Sequence, residues 1–173
     1  ISIPYNVTSI GAGAFNIINN ISPTTYIARP SAYLAYQLGK DIDGEAAGDQ
    51  QSSSAFATTT SVAMSANGTR IAIGASQNDG NGTSSGHVRV YTWSGTAWTQ
   101  TGLDIDGEAA NDELGSSVAM SADGNRIAIG ARYNDGSGNN AGHVRVYTLA
   151  NGTWTQTGSD INGEAAGDNS GWS

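Results

Sequence analysis

A chain of 173 residues with seven Lys and Arg against fifteen Asp and Glu carries a formal charge of −8. That balance excludes nucleic acid as an expected partner, because replacing the counterions of a phosphate backbone needs basic surface. The absence of cysteine rules out disulfides and thiolate metal sites, and no apolar run approaches the roughly 18 residues of a membrane span. No signal peptide is visible.

Residues 16–30 are rich in Asn, Ser and Thr with two prolines, and read as a linker. Residues 31–37, with Tyr33 and Tyr36, lead into Gly39-Lys40-Asp41 as Trp98-Thr-Gln-Thr leads into Gly102-Leu103-Asp104. The chain is thus divided at about residue 30, with repeats over 31–173. Residues 117–157 nearly copy residues 61–101, Ser117 standing 56 positions after Ser61. The runs SVAMSA, RIAIGA, GHVRVYT and WTQTG are unchanged, while differences fall mainly in polar runs, such as Asn81 against Ser137 and Thr83 against Asn139. A fixed period of this size defines architecture before any single motif does. The copies span about 39–101 and 102–157, with a partial third at 158–173. The chain begins without Met and ends at Gly171-Trp172-Ser173, which aligns with Gly115-Ser116-Ser117. A piece of a longer protein is therefore expected.

Each full period predicts four short strands. Residues 117–122 alternate, with Val118 and Met120 opposed to Ala119. Asp123-Gly124, like Asn67-Gly68 before it, predicts a type I′ hairpin, in which both central residues take positive φ. Residues 126–131 return with Ile127 and Ile129 on one face. After a polar loop, residues 142–148 set Val144 and Val146 against His143, Arg145 and Tyr147. Asn151-Gly152 turns the chain into a last strand, 153–157. The expected fold class is all-β: four-stranded antiparallel blades of a β-propeller, about two blades plus partial ones. Small residues (Ala119, Ala128, Gly130, Ala131) are expected where blades crowd toward a common axis, and Tyr147 and Trp154 where the wedge widens. Two blades do not close a ring of about 4–8, so closure needs further repeats or other copies of the chain, joined through unpaired blade edges.

Leu114-Gly115-Ser116-Ser117-Val118-Ala119, Arg126-Ile-Ala-Ile-Gly-Ala131 and Gly142-His-Val-Arg-Val-Tyr147 resemble the FG-GAP repeat of integrin α-subunit propellers. The "DIDGEAAGD" and "SADGNRIAIGA" motifs resemble its bacterial and algal surface-protein variety more closely still. The resemblance covers about residues 39–173 and implies a seven-bladed propeller in an extracellular protein of adhesion or recognition. Three departures stand out: Leu114 replaces the Phe of "FG"; the earlier copy has residues 50–60 (QQSSSAFATTT) where the later has only Glu113 to Ser116; and the hairpin that carries the integrin calcium loop is only Ser121-Ala-Asp-Gly-Asn125. Residues 1–15 (ISIPYNVTSIGAGAF) resemble one unit of a surface-type leucine-rich repeat, and equally suit a single strand with a Gly-rich turn.

The acidic connectors between copies are the leading metal candidates. They comprise Asp41, Asp43, Glu45 and Asp49; Asp104, Asp106, Glu108 and Asp112; and Asp160, Glu164 and Asp168, where Asn162 replaces the second carboxylate. Calcium takes six to eight oxygens in flexible loops of this kind. The competing expectation is an Asx-type turn whose carboxylates bond backbone amides and strap one blade to the next. The loops at residues 78–82 and 134–138 are candidates for a cation or a sugar hydroxyl, or are simply solvated. His87 and His143, beside Arg89 and Arg145, repeat in each copy, which favours hydrogen bonding between blades over catalysis. Asn6, Asn20, Asn67, Asn81 and Asn151 open N-x-[ST] triplets, weak glycosylation signals that also suit turns. No unrepeated constellation of His, Asp and Glu nominates an enzyme. The expected function is a non-catalytic extracellular or cell-surface module presenting loops to a protein or a glycan. The alternatives are a subunit of an extracellular fibre or virion appendage, and a calcium-dependent glycan-binding module.

Overall fold

The computed structural model describes residues 37–49 and 61–173. The leucine-rich-like stretch, the linker and residues 50–60 lie outside the described residues. Residues Leu38–Ser173 form one compact unit, and its described part is all-β: two antiparallel sheets, the successive blades of a β-propeller.

The first blade holds β1 (Val62–Met64), β2 (Arg70–Ala75), β3 (His87–Trp93), β4 (Trp98–Gln100) and β5 (Ile105–Asp106). The second holds β6 (Leu114–Met120), β7 (Arg126–Ala131), β8 (His143–Ala150), β9 (Thr153–Gln156) and β10 (Ile161–Asn162). Four strands per blade were expected and five are found. β4 covers only the Tyr91–Trp93 half of the β3 edge. The open half pairs with the start of the acidic connector, His87 opposite Asp106 and Val88 opposite Ile105. Unpaired backbone at a sheet edge recruits whatever extended chain lies beside it. β10 repeats this pairing on β8.

The 2-residue alternation gives each sheet two unlike faces. Cross-strand register puts Ala72 beside Val90 and Gly74 beside Val88 on one face, and Ile71 beside Tyr91 and Ile73 beside Arg89 on the other. The second blade has the same division. The core between the blades joins the small face of the first, Ala72, Val88 and Val90, to the large face of the second, Leu114, Val118, Ile127, Ile129 and Tyr147. Small residues are thus matched to a neighbouring blade's large ones, and Ala119, expected in a crowded position, is exposed. Ala131 belongs to the large face, opposite His143. Trp154 closes one end, its indole N–H donating to the Thr101 carbonyl at 3.0 Å.

Glycine permits the closest approach. A Cβ on Gly74 would collide with the Gly115 carbonyl, and one on Gly130 with the Gly171 carbonyl. Gly171 therefore meets the second blade as Gly115 meets the first, in keeping with the sequence alignment of the two positions.

The Asp123-Gly124 hairpin departs from the expected type I′ turn. Only Gly124 has positive φ (71°), and its amide donates to the Ser121 carbonyl at 2.9 Å. Asp123 keeps an ordinary backbone because its carboxylate closes the turn, accepting from Ser121 Oγ at 2.6 Å and from the Asn125 amide at 3.0 Å. Asn151-Gly152 does take positive φ at both residues (51° and 78°), as a type I′ turn requires.

Candidate functional site

The connector carboxylates part ways. The last Asp of each closes a tight turn on its own backbone: Asp49, Asp112 and Asp168 accept from the amides of Ala46, Ala109 and Ala165 at 3.0, 3.1 and 2.7 Å. Asp49 and Asp112 are buried and also accept from Asn78 Nδ2 at 3.1 Å and Asn134 Nδ2 at 2.8 Å. Each connector is thereby tied to the loop between β2 and β3, or between β7 and β8. Those loops also tie themselves: Asn134 Oδ1 accepts from the Gly136 amide, and Asp135 Oδ1 from the Asn140 amide. Asn78 and Asp79 do the same for Gly80 and Ser84.

The other carboxylates gather around the histidines. Glu45 comes from one connector and Asp104 from the next, and their Oε2 and Oδ2 atoms face His87 Nδ1 at 3.8 and 3.9 Å. In the second blade Glu108 and Asp160 flank His143, with Asp160 Oδ2 at 3.7 Å from Nδ1. The cause lies in β5 and β10, which draw the start of each connector along the strand that carries the histidine. Arg145 joins the second group, its Nε 3.2 Å from Asp160 Oδ1 and its Nη2 against Glu108 Oε1. Arg89 Nη1 stands 3.4 Å from Glu45 Oε1, and its Nη2 donates to the Asp43 carbonyl. Asp41, Asp43 and Glu164 have exposed side chains outside these groups. Asp106 also lies outside, and burial, then the nearby Asp104 charge, raises its carboxyl above the usual range.

Hydrogen bonding between blades was expected of the histidines. His143 is buried, yet neither ring nitrogen has a hydrogen-bond partner among the described residues. Burial holds its imidazole below the ordinary pKa, against the opposing pull of Asp160 and Asp112, so the neutral ring, with a lone pair to offer, is favoured. The sequence names both these histidines and the carboxylates Glu45, Asp104, Glu108 and Asp160, but not that they converge. The sequence signal was the constant interval between GHVRVY and the following DI dipeptide, which brings strand edge and connector together.

The first hairpin offers one carboxylate, Asp123, already engaged by Ser121 and Asn125. That does not fit the many-oxygen cage calcium needs.

Paired five-stranded blades, joined by straps and repeated along the chain, define a β-propeller repeat protein. Residues 103–147 match the FG-GAP repeat family, so this stretch of the chain is an FG-GAP-like repeat, and residues 61–91 nearly copy its residues 117–147. No curated protein matches the chain.

Proposed function

We propose that the chain is a non-catalytic recognition module of an extracellular or cell-surface protein, in which propeller blades hold variable loops toward a protein or glycan partner. The observation that carries this reading is where the two copies differ. The interior residues of the strands β2 and β3 recur unchanged in β7 and β8, Ala72 and Ala128, Val88 and Val144, Arg89 and Arg145. The exchanges Asn81 to Ser137, Thr83 to Asn139, Gly95 to Asn151 and Thr96 to Gly152 all fall at exposed positions. A catalytic centre needs a single set of groups at one place, whereas a shared frame with divergent loop surfaces suits binding. FG-GAP repeats are typical of extracellular, non-catalytic proteins, which favours the same reading. Among the described residues no helix is long and apolar enough to cross a membrane.

The test is binding of the purified chain to immobilised glycans and to intact cell surfaces. It is compared with a variant whose residues 81–84 are replaced by the Ser-Gly-Asn-Asn of 137–140. The expected result is saturable binding that the loop exchange weakens at least tenfold. Binding indifferent to the loop exchange, or catalytic turnover without binding, would overturn the proposal.

A further inference from the structure

We propose that each blade also builds a divalent transition-metal site, Glu45–His87–Asp104 in the first and Glu108–His143–Asp160 in the second, with zinc as the ion its donors suit. In each trio the ligand atoms lie within 4.8 Å of one another. Three observations lead there.

The first is His143, about 1% exposed and without a hydrogen-bond partner at either ring nitrogen. A buried polar atom left unpaired is destabilising, and Nδ1 faces the Asp160 carboxylate at a distance beyond any hydrogen bond. The second is the division of labour among the carboxylate oxygens. Asp160 Oδ1 accepts from Gln156 Nε2 at 2.6 Å and from Arg145 Nε at 3.2 Å, which leaves Oδ2 toward the histidine. The first blade repeats the pattern. Asp104 Oδ1 accepts from Gln100 Nε2 at 2.5 Å and Glu45 Oε1 faces Arg89, while Oδ2 and Oε2 point to His87 Nδ1. Outer-shell partners that hold one oxygen and aim the other are a regular part of metal sites. The third is the spacing. Ligands on a tetrahedral ion with bonds near 2.0–2.1 Å stand roughly 3.4 Å apart. The three histidine–carboxylate gaps of 3.7, 3.8 and 3.9 Å need a closure of only a few tenths of an ångström, and the remaining ligand atoms lie within 4.8 Å.

Charge and access agree. Two carboxylates against one guanidinium leave each trio with a net negative charge for a cation to meet. The side chain of Glu108 is half exposed and that of Asp160 about a quarter exposed, so an ion reaches the site from solvent. Imidazole among the donors favours zinc and its neighbours over calcium, which takes oxygen.

The chain has two histidines and no cysteine, so an untagged preparation gives a clean test by calorimetric titration with zinc alone. Two equivalents are expected in the wild type, one in His143→Gln and none in His87→Gln/His143→Gln. Glu108→Gln, altered at a half-exposed side chain, should also lose one equivalent with an unchanged circular dichroism spectrum, which covers the case in which a histidine variant fails to fold. Gln156→Ala should weaken one site by about 10–100-fold. No zinc uptake by the wild type, uptake unchanged in the folded variants, or displacement of zinc by equimolar calcium would overturn the proposal.

Discussion

The two blades are close to identical in sequence yet differ in what they bury. Ala72, Val88 and Val90 are 0–1% exposed, while their counterparts Ala128, Val144 and Val146 are half-buried. On the other face the order reverses: Ile127 is 1% exposed and Ile71 half-buried. The difference comes from neighbours alone, because the small face of the first blade is covered by the large face of the second. A propeller blade is therefore only half a core. Its stability resides in interfaces between repeats as much as within any one, as in other quasi-one-dimensional repeat proteins. Ala119, Ala128, Gly130, Val144 and Ser173 line a cavity of about 160 Å³ on the small face of the second blade, the face that on the first blade the second one covers.

The largest expected effect tests a contact the blades do not share. Arg132 is 2% exposed and pairs with Glu113 at 2.6 Å, and its guanidinium lies over Tyr133 at 4.5 Å and Trp172 at 5.1 Å. The first blade has Ser76 at this place. Arg132→Ser should make the second blade resemble the first at the cost of an uncompensated Glu113, about 3–5 kcal/mol by urea unfolding. Adding Glu113→Gln should restore more than half of that, since the neutral amide is cheaper to leave unpaired. Equal losses in the single and double variants would show that stacking on the rings, not the ion pair, holds Arg132.

The next experiment makes the same change on both blades. Val88→Ala removes methyl groups from a closed interface and should cost about 2 kcal/mol, transfer and cavity terms together. Val144→Ala, chemically the same change on the uncovered face, should cost about 1 kcal/mol or less. Equal costs would mean that the uncovered face is filled in solution, and a concentration-dependent melting temperature would then identify a second copy as the filler.

How much of this was legible in the sequence follows the same division. The strands, their alternation and the period could be read directly, because GHVRVYT and RIAIGA state which side chains share a face. The fifth strand could not. Ile105 and Ile161 hold equivalent places in their connectors, yet Ile105 is 7% exposed and Ile161 58%, so neither its pairing nor its burial is local information. The candidate site was half legible for the same reason. The acidic residues were identified, but a connector looks like one cluster in sequence, whereas in space its first and middle carboxylates go to two different histidines and its last to its own backbone. Which partner wins depends on strand-edge pairing, and no spacing within nine residues encodes that.

The smallest expected effect concerns a hairpin turn position where the copies differ in charge. Asn67 and Asp123 close the same hairpin. Asn67 Oδ1 accepts from Ser65 Oγ at 2.8 Å and the Thr69 amide at 3.1 Å, as Asp123 Oδ1 accepts from Ser121 Oγ and the Asn125 amide. The geometry is conserved between the blades, but only the carboxylate titrates. The Ser121 hydroxyl, then the Asn125 amide, hold the Asp123 carboxyl below the usual range. A depressed folded-state pKa contributes stability that is fully present above the unfolded value of about 3.9 and is lost as the pH falls through the folded value. Asp123→Asn should therefore change little at pH 7, since the amide oxygen accepts the same hydrogen bonds as Asn67 does. Below pH 4 the variant should lose less stability than the wild type, so its urea midpoint, close to the wild type's at pH 6, should rise above it as the pH is lowered to 2. Other carboxylates titrate in this window in both proteins, so the difference between the curves is the quantity to read. Parallel curves across the window, with the Asp123 carboxyl titrating at its ordinary value by NMR, would show that the carboxylate and the amide serve the turn alike at every pH.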